Sequence, residues 1–461
     1  MAPDSSQHSL TKETENSWLG SLLKRWVKIH SNEVRPLVLS SVYFFFILLS
    51  YYLINPLRSG YGYTKLAQSY LPWLFTITMV LILGLNPIYG ALISRFSRAR
   101  FMPWVFYFFL GSFILFFLAL MFLQKPAKDY VSLAFFVWAS VFNVFIVSVF
   151  WDFLVDIFDS DQAKRFFVFI GVVGNIGALI GSTLVESLSR LLKPEYLILL
   201  SALILFLATR CGNRLHILSA NMKLPRSVNP DSETPPGAGS FSFVKTVFRS
   251  PYLLSICAYT LILIMSGTFL FVRHQQLADV QGLPKEDVIR SFARVNFLTG
   301  LLVIVIQIFL ARRVLSMLSV TKRLMIMPLL IILGLGLVYL FPETRTFFFS
   351  YSPQLLFVMV LQSFSKALEY SIAKPARKVL FTILSRDEKY SAQSFIDTFV
   401  HRGADTLLIW TQELLSKSKI DPIFLGWGFL PIWLVWLYLS YYLGSRYQKR
   451  SLVSEKTTQP Q

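Results

Sequence analysis

A chain of 461 residues that is 54% hydrophobic, with 43 phenylalanines, carries more apolar side chain than a water-soluble domain of that size can bury. The net charge of +19 would fit a nucleic-acid binder, but the basic residues sit mostly between apolar blocks, so membrane topology explains them and no nucleic-acid partner is expected. Two cysteines, Cys211 and Cys257, exclude a disulfide framework and a cysteine-rich zinc site. The blocks are roughly 20 residues long, one bilayer crossing each, so the expected fold is an all-α integral membrane protein with about 12 transmembrane helices.

Residues 1–35 form a polar N-terminal segment without the apolar core of a cleaved signal peptide. Within it, WLGSLLKRWVKIH (18–30) places Trp18, Leu22 and Trp26 on one helical face, so it reads either as an interfacial amphipathic helix or as a plain cytoplasmic extension. Twelve spans follow, at 36–56, 70–93, 101–123, 131–153, 166–187, 194–209, 251–272, 293–311, 324–341, 354–373, 392–414 and 422–444. A polar stretch containing NPDSETPPGAGS divides them six and six. The expected organisation is therefore a six-helix bundle at 36–209, a cytoplasmic linker at 210–250, a second bundle at 251–445 and a cytoplasmic tail at 446–461. With both termini inside, the cytoplasmic segments hold 29 Lys and Arg residues and the opposite ones 12. That asymmetry favours cytoplasmic termini.

Span one contains YYLINPLRSGYGY, where Tyr51, Asn55 and Arg58 share a helical face. Pro56 removes a backbone donor and disfavours helical geometry at Asn55, so a helix break is expected there, with Arg58 near an anion-facing end. Snorkelling of Arg58 to the outer interface is the competing reading. Span four ends with Asp152 and Asp156; Asp152 lies deeper and is the better site candidate, whereas Asp156 fits an inner-face salt bridge. Gly171, Gly174, Gly177 and Gly181 in span five are read as helix-packing positions.

Span ten carries Gln362, Lys366 and Glu369 at spacings of four and three, on one face of a helix. Span eleven carries Asp397, His401 and Asp405 at intervals of four, with Arg402 on another face. Ionisable side chains at bilayer depth are costly and normally face a bundle interior or a water-filled cavity. Lys366 and Glu369 read either as an anion site or as an intrahelical ion pair. No phosphate-binding loop, nucleophile elbow or His/Cys metal cluster is present in the sequence, so neither an enzyme nor a cofactor is expected.

Aligning Ile157–Ala178 with Ile383–Ala404 gives six identities in 22 positions, at the place where a duplicated six-helix unit would put them. Parallel repeats of this kind build the major facilitator fold. GALISRFSRAR (90–100) is a degraded form of that fold's G-x-x-x-D-R-x-G-R loop, keeping Gly90, Arg95 and Arg98. SKALEYSIAKPARK (365–378), INPLRS around Arg58 and FFVFIGVVGNIGALIGS in span five resemble the ATP/ADP translocase (nucleotide transporter) family of intracellular bacteria and plastids. Of that family's S-K-x-x-K-Y-S-L-F-D-x-x-K-E pattern, Lys366, Tyr370 and Ser371 are retained, while Glu369, Lys374 and Lys378 change the charge. Asn55 and Ser59 stand where family members often carry Arg and Asp.

The resemblance implies a monomeric secondary transporter or antiporter of the bacterial inner membrane that works by alternating access. Its substrate would be a small organic anion, a nucleotide or a phosphorylated metabolite. The substrate-binding candidates are Arg58, Lys366, Glu369, Asn55, Tyr51, Asp152, Tyr370, Asp397 and Arg402. The altered span-ten charges leave one alternative of another class, a non-transporting receptor or assembly protein on a facilitator scaffold.

Overall fold

The computed structural model describes residues 33–95, 98–221, 247, 249–307, 317–338, 341, 351–384, 392–393, 395–417 and 428–458. They form helices α1 (Val34–Tyr61), α2 (Leu71–Arg95), α3 (Arg98–Phe122), α4 (Ala127–Ile157), α5 (Ser160–Leu188), α6 (Pro194–Asn221), α7 (Pro251–Val280), α8 (Lys285–Val305) and α9 (Val320–Val338). α10 (Pro353–Ile383), α11 (His401–Lys417) and α12 (Leu430–Thr458) complete the series. Among the described residues there is no strand, and ten helices, α1 to α10, are long and apolar enough to cross a bilayer. α11 has 17 residues and begins with charge, while α12 opens with a run rich in Trp and Tyr, so neither is uniformly apolar. The proposed amphipathic helix at 18–30, most of the linker and residues 96 and 97 of the basic loop lie outside the described residues.

Large apolar side chains such as Trp104, Phe108 and Leu115 are exposed on α3, as lipid-facing positions are. α6 continues past Arg210 to Asn221, beyond the boundary expected at 209. Basic side chains at a membrane edge carry their charge into the headgroups while the backbone stays helical. α1 likewise runs unbroken through Pro56, so the break expected at Asn55 does not form. A membrane helix tolerates proline because neighbouring groups satisfy the freed carbonyl.

The chain divides into two compact units. The first lies within Met1–Asn55, Leu92–Gln124 and Phe142–Ser232. Its α1–α5 seam is built as the glycines predicted: a Cβ on Gly174 would meet the Phe44 ring at 2.2 Å, one on Gly177 the Phe45 carbonyl oxygen at 2.3 Å, and one on Gly181 the Leu49 carbonyl oxygen at 2.8 Å. Gly171, by contrast, faces open space. Phenylalanine fills the layer behind, with Phe44 stacked on Phe150 at 4.4 Å. Ser50 and Ser201 exchange hydrogen bonds between α1 and α6. Asp159 caps α5 by accepting from the Asp161 and Gln162 amides, and Arg165 pairs with Glu33 at 3.1 Å.

The second unit lies within Pro56–Ala91, Lys125–Val141 and Glu233–Gln461. It therefore contains the last turns of α1, the first half of α4 and most of α2, packed with the C-terminal helices. Trp410 of α11 donates from Nε1 to Thr76 Oγ1 at 3.0 Å and meets the Trp73 ring edge-on at 5.3 Å. Gln275 donates to the Ser59 carbonyl at 3.3 Å, and Lys285 lies 3.2 Å from the Tyr61 ring centroid. Serine caps followed by proline start α7 (Ser250, Pro251) and α10 (Ser352, Pro353).

Candidate functional site

Two π-helical turns shape the polar interior of the second unit. α10 is α-helical over Pro353–Leu368, widens into a π turn at Glu369–Ala373 and resumes at Lys374. A second π turn, Ile396–Val400, leads into α11. Such a turn bonds i to i+5 and inserts one residue, so it re-aims side chains relative to a straight helix.

The insertion corrects the pairing expected on α10. Glu369 forms its ion pair with Lys374, five residues on, at 3.1 Å, and not with Lys366. Lys374 also covers the Tyr370 ring at 4.0 Å, which holds Tyr370 beside the pair. Lys366 is half-buried and takes no hydrogen bond or ion pair among the described residues. The charges of Glu369 and Arg58 both act on it. An ammonium held at bilayer depth without a bonded counter-charge costs several kcal/mol in the resting protein.

Arg58 closes the last turn of α1, where the helix dipole favours a cation. Its Nε donates to Ser140 Oγ at 2.6 Å, and the Ser140 hydroxyl donates in turn to the Phe136 carbonyl at 2.8 Å. The guanidinium carbon lies 4.1 Å from the Phe136 ring centroid and 5.9 Å from that of Phe75. α2 and α4 thus hold Arg58 through Phe75, Phe136 and Ser140.

Asp405 of α11 accepts from Thr268 Oγ1 of α7 at 2.5 Å and lies 4.0 Å from Arg402. The charges of Arg58 and Glu369 reach it as well. His401 is enclosed with no hydrogen bond to Nδ1 and stands in the field of Arg402, Lys374 and Arg377. Among the described residues, the overlapping fields of Arg58, Lys366, Lys374, Arg377, Arg402, Glu369 and Asp405 sum to three positive charges in excess.

Of the residues singled out from sequence, Arg58, Lys366, Glu369, Tyr370 and Arg402 come together here. Tyr51 and Asn55 belong to the first unit, where Asn55 Nδ2 donates to Tyr51 Oη at 2.5 Å. Asp152 is half-buried in the same unit near the end of α4, and Asp156 is exposed one turn on. Asp397 sits in the second π turn, and its side chain lies outside the described residues. Lys374, Arg377, Asp405, Thr268 and Ser140 were not singled out as site residues. The intervals of four placed Asp405 on a charged stripe, but nothing in the sequence marks a π turn, and Thr268 and Ser140 look like ordinary intramembrane hydroxyls.

The family model described as TLC ATP/ADP transporter matches residues 131–447. Among curated proteins, the chain is 28% identical over 148 residues to "ADP,ATP carrier protein 3" of Rickettsia bellii, covering 25% of this chain and 29% of that protein. It is 30% identical over 135 residues to the protein of the same name from Rickettsia conorii, covering 23% and 27%. Each match thus spans less than a third of the relative's length. Among solved structures, the nucleoside transporter NupG superposes with a TM-score of 0.58 at 13% identity, over 91% of this chain and 99% of NupG. A POT family transporter in complex with 5-aminolevulinic acid gives 0.60 at 14%, over 90% and 96%. At these identities the structures share the fold alone, that of the major facilitators.

Proposed function

This chain belongs to the TLC ATP/ADP transporter family and is a multi-pass membrane transporter, and we propose that it carries a nucleotide or similar polyphosphate anion across the bacterial inner membrane. The observation that carries the reading is the excess of three positive charges that Arg58, Lys366, Arg402 and their neighbours hold among the described residues, where Lys366 takes no hydrogen bond or ion pair. A terminal phosphate carries about −1.5 to −2 at neutral pH, so a nucleoside diphosphate or triphosphate matches that excess, whereas a monocarboxylate leaves most of it uncompensated. Arginine offers a planar fork for phosphate oxygens and lysine a point charge, and the cluster holds both. In this reading Lys366 and Arg58 bind the phosphates. Glu369, neutralised by Lys374, keeps the site from holding its ligand too tightly to release it.

Transport proceeds by alternating access as exchange of one nucleotide for another, with a monomer as the working unit and both termini cytoplasmic. The two Rickettsia relatives, named as ADP,ATP carriers, support the nucleotide class. The test is uptake of radiolabelled ADP or ATP into proteoliposomes preloaded with the other nucleotide, the protein being oriented by protease accessibility. Saturable uptake that needs internal nucleotide supports the proposal. Folded protein that moves none of a panel of nucleotides and sugar phosphates would refute it.

A further inference from the structure

One buried polar group in the second unit lies outside the anion cluster, bonded to Gln362 one helical turn before Lys366. His274 of α7 is fully buried and stacked on Phe292 at 4.1 Å. Its Nε2 is 2.8 Å from Ser291 Oγ of α8, and its Nδ1 is 3.2 Å from the side-chain oxygen of Gln362 of α10. Ser291 spends its single hydroxyl proton on the Val288 carbonyl at 2.8 Å, so it accepts from His274 and Nε2 must carry a proton. Nδ1 is then either a bare lone pair or a second N–H.

Gln362 is matched to both states. With Nδ1 protonated, its amide oxygen accepts from the imidazolium, as the geometry stands. With Nδ1 bare, the amide must turn so that its NH2 donates. Either way the far end of the amide, now the Nε2 group, is buried with no partner. A buried polar atom left orphaned calls for an explanation. An amide that reverses with the proton on its neighbour supplies one, because one end is spare in each state.

Lys366 follows Gln362 by one turn on α10, and its charge acts on His274. α8 presents Ser291 and Phe292, and α7 itself contributes Arg273 next in sequence. Among the described residues, the groups that touch or act on His274 are thus cationic or neutral.

We propose that His274 is a proton-binding site coupled to the anion at Lys366, so that anion entry is accompanied by a proton. The inference rests on the nucleotide reading only for the identity of the anion. A proton from water adds to Nδ1 without any other bond breaking, Gln362 reverses to accept from it, and the same proton returns to water after the site opens to the other side. The coupling is Coulombic. An empty site leaves the Lys366 charge to oppose the imidazolium, and an anion on Lys366 removes that opposition.

The test reads His274 directly in lipid nanodiscs, by 15N NMR of protein labelled in its five histidines, the signal being assigned by its loss in H274Q or, should that variant not fold, H274N. At pH 6 the ratio of imidazolium to imidazole at His274 should rise about tenfold in K366Q, equivalent to one unit in proton affinity. Saturating ADP should raise it similarly in the wild type. An unchanged ratio in K366Q overturns the proposal, as does an unchanged ratio in wild type whose ADP binding is shown by calorimetry. A K366Q rise without any ADP binding supports the proton site and rejects the nucleotide reading instead.

Discussion

The rearranged ion pairing on α10 makes a prediction that separates two lysines eight residues apart. Lys374 is bonded to Glu369, with side chains 32% and 19% exposed, so the pair lies between the surface and fully buried limits. Exposed pairs contribute up to about 1 kcal/mol, and breaking fully buried ones costs about 3–5. Lys374→Gln should therefore destabilise by roughly 1–3 kcal/mol, leaving Glu369 half-buried without its counter-charge. At about 2–4 °C per kcal/mol for a large domain, the melting temperature of the detergent-solubilised protein should fall by roughly 2–8 °C. The double variant Lys374→Gln, Glu369→Gln should recover most of that loss. Lys366→Gln should be neutral or stabilising, because Lys366 has no bonded partner among the described residues to orphan. It should nonetheless lose a charge-assisted phosphate contact of about 1.5–3 kcal/mol, roughly 10- to 150-fold in affinity for ADP. Thermal unfolding and calorimetric binding on the same preparations decide the matter. If Lys366→Gln destabilises as much as Lys374→Gln and Lys374→Gln is silent, the ion pair is Lys366–Glu369 after all and the account of α10 fails.

Further outcomes follow from other contacts. Arg58→Lys keeps the charge but loses the Nε bond to Ser140 and the flat contact with Phe136, so ADP affinity should fall several-fold with little change in melting temperature; unchanged affinity would take Arg58 out of the site. Gly177→Ala forces a methyl to within 2.3 Å of the Phe45 carbonyl oxygen and should lower folded yield, whereas Gly171→Ala should be tolerated, as fluorescence size-exclusion profiles will show. Cysteines at positions 73 and 410, in a background with Cys211 and Cys257 replaced by serine, should be joined by a short bifunctional thiol reagent, and the joined protein should bind ADP but not exchange it. Exchange at the uncrosslinked rate would show that the Trp73–Trp410 contact stays closed during transport.

How much of this was legible beforehand depended on which feature the bilayer writes into the chain. Apolar blocks of fixed length and the lysine and arginine between them gave the helical membrane fold, because backbone satisfaction in lipid leaves a single-chain α-helical bundle few alternatives. The spacing of Gly174, Gly177 and Gly181 marked the α1–α5 seam, because close approach in lipid needs small residues. Lys366 and Arg58 were visible as costly charges. Their partners were not, since Glu369 meets Lys374 only through a π turn that no three-to-four-residue periodicity reveals. Pro56 misled for the converse reason: local geometry favours a break there, and packing in the membrane overrides it. His274 gave no sequence signal, because a lone histidine at a helix end is ordinary until its neighbours are seen.

The central claim is that Lys366, unbonded among the described residues and in the field of Arg58 and Glu369, is there for a polyphosphate. It is tested most directly by ADP/ATP exchange in proteoliposomes of wild type and of Lys366→Gln, each shown to be folded by its melting temperature. The account predicts saturable exchange by the wild type and its near-complete loss in a variant that melts at the same temperature or higher. Equal exchange by the two proteins would contradict it.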